Sequence, residues 1–241
     1  MRIIGIDCAV APEKTGVVVA RQQGSELIVE GSERGSEERP PVRIVLEAME
    51  PDTLLALDAP LGWPDAFGRA LANHCAGAAL PVEPERFFRR ETDDWVARKL
   101  GKRPMDPAAD RIGRTAYAAL SLLDGVRGAG WVPLSLAWSP EEARSGVHAV
   151  EVYPAGRLTV LGLPAQGYKR AGQRPRRQEI LEALVAEFDL SIDRGPYLED
   201  ADQLDALLCV AAAADMLRGL AAPPENIDRA RKEGWVWTRL E

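Results

Sequence analysis

The first twenty residues constrain most strongly what this chain can become. Arg2-Ile-Ile-Gly-Ile-Asp7 is an apolar run that ends on a carboxylate, and Gly16-Val-Val-Val-Ala20 follows after a short Ala/Pro/Glu/Lys loop. Two β-branched runs spaced in this way predict a hairpin with Asp7 at the end of its first strand. An ionised Asp is costly to bury there unless a cation or several donors meet it. The pattern returns at Leu54-Leu-Ala-Leu-Asp58-Ala-Pro. Two apolar strands that each end in a carboxylate point to one shared cation site.

Leu27-Ile-Val-Glu30, after a turn around Gly24-Ser25, reads as a third strand, so the opening is an antiparallel meander. Val42 to Met49 has helical spacing, with Pro40-Pro41 before it and Pro51 beyond. The Asp52–Asp58 strand is thus reached through a helix, and such a crossover is expected to run parallel to its neighbour. From Leu61 to about Gly146 no strand pattern appears, while Asp65–Cys75, Asp93–Leu100 and Asp110–Arg127 have helical periodicity. A chain of 241 residues, 46% hydrophobic, supports one core with an embellishment. The expectation is a single α/β domain over residues 1–241, a mixed sheet flanked by helices, with a helical insertion at about 61–146. Arg90 lies in a basic stretch of that insertion, most of which reads as a solvated face.

Beyond the insertion, His148-Ala-Val-Glu151-Val-Tyr-Pro154 reads as a strand in which Val150 and Val152 face one way and Glu151 the other. Tyr168 to Arg177 then holds five basic residues and no acidic one, Lys169 and Arg177 among them, and leads into a helix at Gln178–Phe188. It is either a phosphate-contacting segment or a solvated loop. The last major helix, Asp200 to Gly219, places Asp202 and Asp205 on one face, and its Ala211–Ala214 run allows close packing on a sheet. Two carboxylates facing a sheet repel one another unless a cation intervenes. Each acid also has a structural role open to it: Asp7 and Asp58 as turn formers, Asp202 as a first-turn acid, Glu151 as the partner of an insertion arginine.

The net charge of −7 and pI near 5.1 argue against a chain that coats nucleic acid or an anionic membrane by bulk electrostatics. Any phosphate must be met locally. Three cysteines without CxxC spacing and only two histidines leave no basis for a zinc or redox motif. The start of the chain has no leader-like apolar run and no stretch is long enough to span a bilayer, so a cytoplasmic location is expected. Trp63, Trp95 and Trp131 are dispersed and read as core rather than as a base-stacking platform.

The hairpin with Gly-Ile-Asp7, the strand ending in Leu-Asp58-Ala-Pro and the helix opening with Asp202-x-x-Asp205 together resemble the ribonuclease H-like superfamily, which includes Holliday-junction resolvases. Glu151-Val-Tyr-Pro-Ala, Arg90-Glu-Thr-Asp93 and Asp205-Ala-Leu add a closer likeness to the uncharacterised, predicted-nuclease family known as domain of unknown function 429 (DUF429). The likeness covers nearly the whole chain. It implies a mixed five-stranded sheet with a carboxylate site for Mg²⁺ or Mn²⁺, in which two metals about 3.5–4 Å apart serve phosphodiester hydrolysis. On that expectation Asp7, Asp58 and Asp205 bind metal, with Asp202 or Glu151 assisting. Lys169, Arg90 or Arg177 would pair with the phosphate of a nucleic acid or nucleotide. A nucleotide-binding phosphotransferase of the actin and sugar-kinase type is the alternative, although Ala9 to Thr15 lacks the Gly and Ser of its phosphate loop. A non-catalytic binding module of the same fold is the third reading.

Overall fold

The structure, a computed structural model, describes residues 1–108, 110–130 and 132–240. In chain order the elements are β1 (Arg2–Asp7), β2 (Gly16–Gln23), β3 (Glu26–Arg34), α1 (Pro41–Ala48), β4 (Thr53–Leu57), α2 (Asp65–Leu71), α3 (Pro84–Phe88), α4 (Glu91–Leu100) and α5 (Asp110–Gly128). They continue as β5 (Leu134–Leu136), α6 (Pro140–Ala143), β6 (Val147–Val152), α7 (Pro154–Val160), α8 (Arg174–Phe188), α9 (Gly195–Glu199), α10 (Ala201–Leu217), α11 (Ile227–Glu233) and β7 (Val236–Trp237).

β1, β2 and β3 form the antiparallel meander, and β4 and β6 run parallel to β1, giving the order β3-β2-β1-β4-β6-β5. The outer edge of β6 is shared end to end: β5 pairs with Val147–Ala149 and β7 with Glu151–Val152. Among the described residues the sheet therefore has seven strands rather than five. The three-residue β5 carries too little alternation to be read from sequence, whereas β7 falls within Trp235–Leu240, which reads as a final extended segment packed on the domain.

Side-chain alternation divides the sheet into two faces. Ile3, Leu54, Ala56, Val150 and Val152 belong to the core under α10, while Ile4, Ile6, Leu55, Leu57 and Ala149 belong to the core under α1 and α5. α5 and β5 thus complete the central fold, so the 61–146 stretch is not wholly an embellishment. α10 is buried from Gln203 to Leu217 and apolar apart from Gln203, Asp205 and Asp215, as befits a central helix. Asp200 caps it, its carboxylate accepting hydrogen bonds from the Asp202 and Gln203 amides. Trp95 is buried as expected, and Trp131 lies outside the described residues. Among the described residues no helix is long and apolar enough to cross a membrane.

Candidate metal centre

Parallel pairing sets Ile6 opposite Leu57, so the next residues, Asp7 and Asp58, leave the sheet side by side at the ends of β1 and β4. Even spacing from Ile3 and Leu54 turns both toward α10. That helix can lie close because two of the residues beneath it have no side chain. A Cβ on Gly5 would stand 2.1 Å from the Ala206 carbonyl oxygen, and one on Gly16 would stand 2.4 Å from that of Asp202. The close approach lowers Asp205 onto the strand ends. One carboxylate oxygen from each of Asp7, Asp58 and Asp205 then lies within 4.8 Å of the others.

Three carboxylates this close are poorly compensated. Among the described residues, Lys169 is the cation that reaches two of them, in contact with Asp205 and 3.9 Å from Asp7. The Tyr168 hydroxyl donates to Asp205 Oδ1 at 2.7 Å. No described residue donates a hydrogen bond to the carboxylate of Asp7 or Asp58. Burial, with the Asp205 charge next, holds the Asp7 carboxyl well above its usual range despite Lys169. Burial pushes Asp58 up to about 7, Lys169 opposing and Asp205 adding to the rise. Asp205 is raised by burial, an effect moderated by Lys169 and the Tyr168 hydroxyl. Burial lowers the Lys169 ammonium, but the attraction of Asp205, Asp7 and Asp58 outweighs it and keeps the group charged. Burial raises the Cys8 and Cys209 thiols as well, and the neighbouring Asp7 and Asp58 charges add to the rise.

The other residues singled out in the sequence lie elsewhere or are already engaged. Glu151 has the opposite parity to Asp58, being set opposite Leu57. Its carboxylate receives two hydrogen bonds from Arg90, each 2.7 Å, and one from the Leu61 amide at 2.9 Å. Arg90 is 2% exposed and spends its remaining donors on Asp93 and the Glu233 carbonyl, so it is a structural arginine with none to offer a phosphate. Glu151 in turn is that arginine's partner rather than a member of the acidic cluster. Arg177 donates to the carbonyls of Leu198, Tyr168 and Arg170, and so holds the segment that presents Lys169. Asp202 pairs with Arg34 at 2.7 Å, tying β3 to the start of α10, and stands outside the cluster while still raising Asp7 through its charge. Tyr168 is the contributor that sequence reasoning missed. Its only signal was adjacency to Lys169.

The cluster opens onto a cleft of about 350 Å³, lined by Tyr153, Tyr168 and Lys169 and by Pro104, Met105, Ile112 and Thr115. The donor set fits a divalent ion: oxygen ligands only, and up to three negative charges against one ammonium. Residues 5–229 match the family described as "Protein of unknown function (DUF429)", and the chain belongs to that family. It has no match among curated proteins.

Proposed function

For this member of the DUF429 family we propose a ribonuclease H-like phosphodiesterase that uses Mg²⁺ or Mn²⁺ to hydrolyse a phosphodiester of a nucleic acid or nucleotide. The observation that carries the reading is the convergence of Asp7, Asp58 and Asp205 from two parallel strand ends and a central helix. The antiparallel meander followed by parallel β4 and β6, in the order β3-β2-β1-β4-β6, supports the superfamily.

Asp7, Asp58 and Asp205 would hold the ion, which when bound would supply an activated water and charge relief at the leaving oxygen. Tyr168 fixes one oxygen of Asp205, leaving its carboxylate oriented. Lys169 is half-exposed and reaches two of the three acids, so its ammonium is placed to exchange carboxylate contacts for a phosphate oxygen and to offset developing charge there. Arg90 and Arg177 act at one remove, by holding the surrounding elements. The test has two arms: Mn²⁺ titration by calorimetry, and cleavage of branched, duplex and single-stranded substrates. Mn²⁺-dependent cleavage that is lost in Asp7→Asn is expected. Equal activity of wild type and Asp7→Asn would remove the catalytic role, and absence of Mn²⁺ binding by the folded chain would remove the metal.

A further inference from the structure

The most exposed large apolar side chains among the described residues line two adjoining cavities. Tyr117 (71% exposed), Met105 (69%) and Val10 (60%) stand above the rest, and all three line the metal cleft or the groove beside it. Single exposed hydrophobic residues need no explanation, but Tyr117 and Val10 line one groove, and Met105 lines the cleft that adjoins it at Cys8. The groove, about 950 Å³, runs between the Cys8–Thr15 loop, Pro40-Pro41 and the first half of α5. It meets the cleft at Cys8, the residue that follows Asp7. Ile112 and Thr115 of α5 face the cleft, while Gly113, Arg114 and Tyr117 face the groove. The Arg114 side chain is 76% exposed, with Asp110 as a distant partner at 4.0 Å.

We propose that this groove is the second half of the substrate site and receives an unstacked nucleobase whose phosphoester lies at Asp7, Asp58 and Asp205. The inference rests on the phosphodiesterase reading above and names its substrate class: a nucleotide, or the unpaired end of a single strand. Tyr117 offers an aromatic face to a base, and Pro12, Pro40 and Pro41 add apolar lining to the same groove. Arg114 supplies a planar cation for an adjoining phosphate or for the face of the base. Ser121 and Asp110 can meet polar base edges, groups that would oppose an acyl chain. A duplex is disfavoured for two reasons. Pro104 and Met105 line the cleft and narrow it to about 350 Å³, and duplex binding depends on many phosphate contacts, for which a chain of net charge −7 is poorly suited.

The experiment measures fluorescence-detected binding of a 2-aminopurine dinucleotide, with Ca²⁺ replacing Mg²⁺, beside an abasic dinucleotide of equal charge and Mn²⁺ calorimetry on the same proteins. The expected result is preference for the base-bearing ligand, weakened roughly tenfold by Tyr117→Ala and retained by Tyr117→Trp, with Mn²⁺ affinity unchanged in both. Competition by a mononucleotide alone, or more strongly by a single-stranded oligonucleotide, supports the proposal and separates the two sources of the base. Equal binding of abasic and base-bearing ligands, indifference to Tyr117→Ala, or equal competition by a duplex overturns it while leaving the metal centre intact. A concentration-dependent dimer that Tyr117→Asp abolishes, with ligand binding unaffected, also overturns it, because a second copy then covers the groove. Failure to bind Mn²⁺ removes both readings together.

Discussion

Two buried groups of acids lie near one another in this molecule and differ in how their charge is met. Around Arg90, the carboxylates of Asp93 and Glu151 receive the guanidinium at 2.7–3.0 Å, so charge and hydrogen-bond capacity are both satisfied. Around Lys169, one half-exposed ammonium reaches two of three clustered carboxylates, and Asp7 and Asp58 accept no hydrogen bond from described residues. The first group is arranged to be complete without a ligand. The second is arranged so that a ligand would complete it. Burial of acids is common to both, so burial alone does not mark a site; the imbalance does.

The largest expected effect comes from breaking the balanced group. Arg90→Met leaves Asp93 and Glu151 buried without their cation, and chemical denaturation should show a loss of about 3–5 kcal/mol. Gly5→Ala attacks the packing that brings Asp205 to the strands. The new methyl would meet backbone rather than a flexible side chain, so denaturation should show a loss of about 1–3 kcal/mol or more, and Mn²⁺ affinity should fall with it.

The unbalanced group should respond with the opposite sign. Asp58→Asn removes a desolvated charge and is expected to raise the metal-free melting temperature at pH 8 while weakening Mn²⁺ binding. The folded chain holds the Asp58 proton up to about pH 7, whereas the unfolded chain releases it near 4. Stability from that proton is therefore fully present below about pH 4 and lost as pH rises through about 7. The advantage of Asp58→Asn should accordingly grow across that window in metal-free melts, while the wild type's Mn²⁺ affinity, measured by calorimetry, rises over the same range as protons stop competing. A melting advantage independent of pH would show that the two groups do not differ as described. The smallest effect is expected from Tyr168→Phe, which removes one hydrogen bond to Asp205 and should change metal-free stability by about 1–2 kcal/mol in denaturation.

Much of this arrangement was legible in the chain itself. Apolar runs ending in Asp7 and Asp58, and a helix with small residues behind Asp205, carry local signals that tertiary structure then brings together. Glu151 was separable too: its parity along β6 sends it away from the α10 face, a distinction already present in the alternation of Val150 and Val152. Arg90 and Arg177 were not legible as structural residues. Nothing local tells which arginine has its donors consumed, because the Glu151 partner of Arg90 lies 61 residues away. β5 was hidden by its length, while the extended character of Trp235–Leu240, which holds β7, could be read.

Glu233 has a consequence for how the molecule is made. Its two carboxylate oxygens accept the amides of Asp65 and Glu91, the first residues of α2 and α4. During vectorial synthesis, those two helices emerge long before the acid that anchors both. The floor strands β1 and β4 can pair early, but the segment above them acquires its final tether only once the ribosome has passed residue 233.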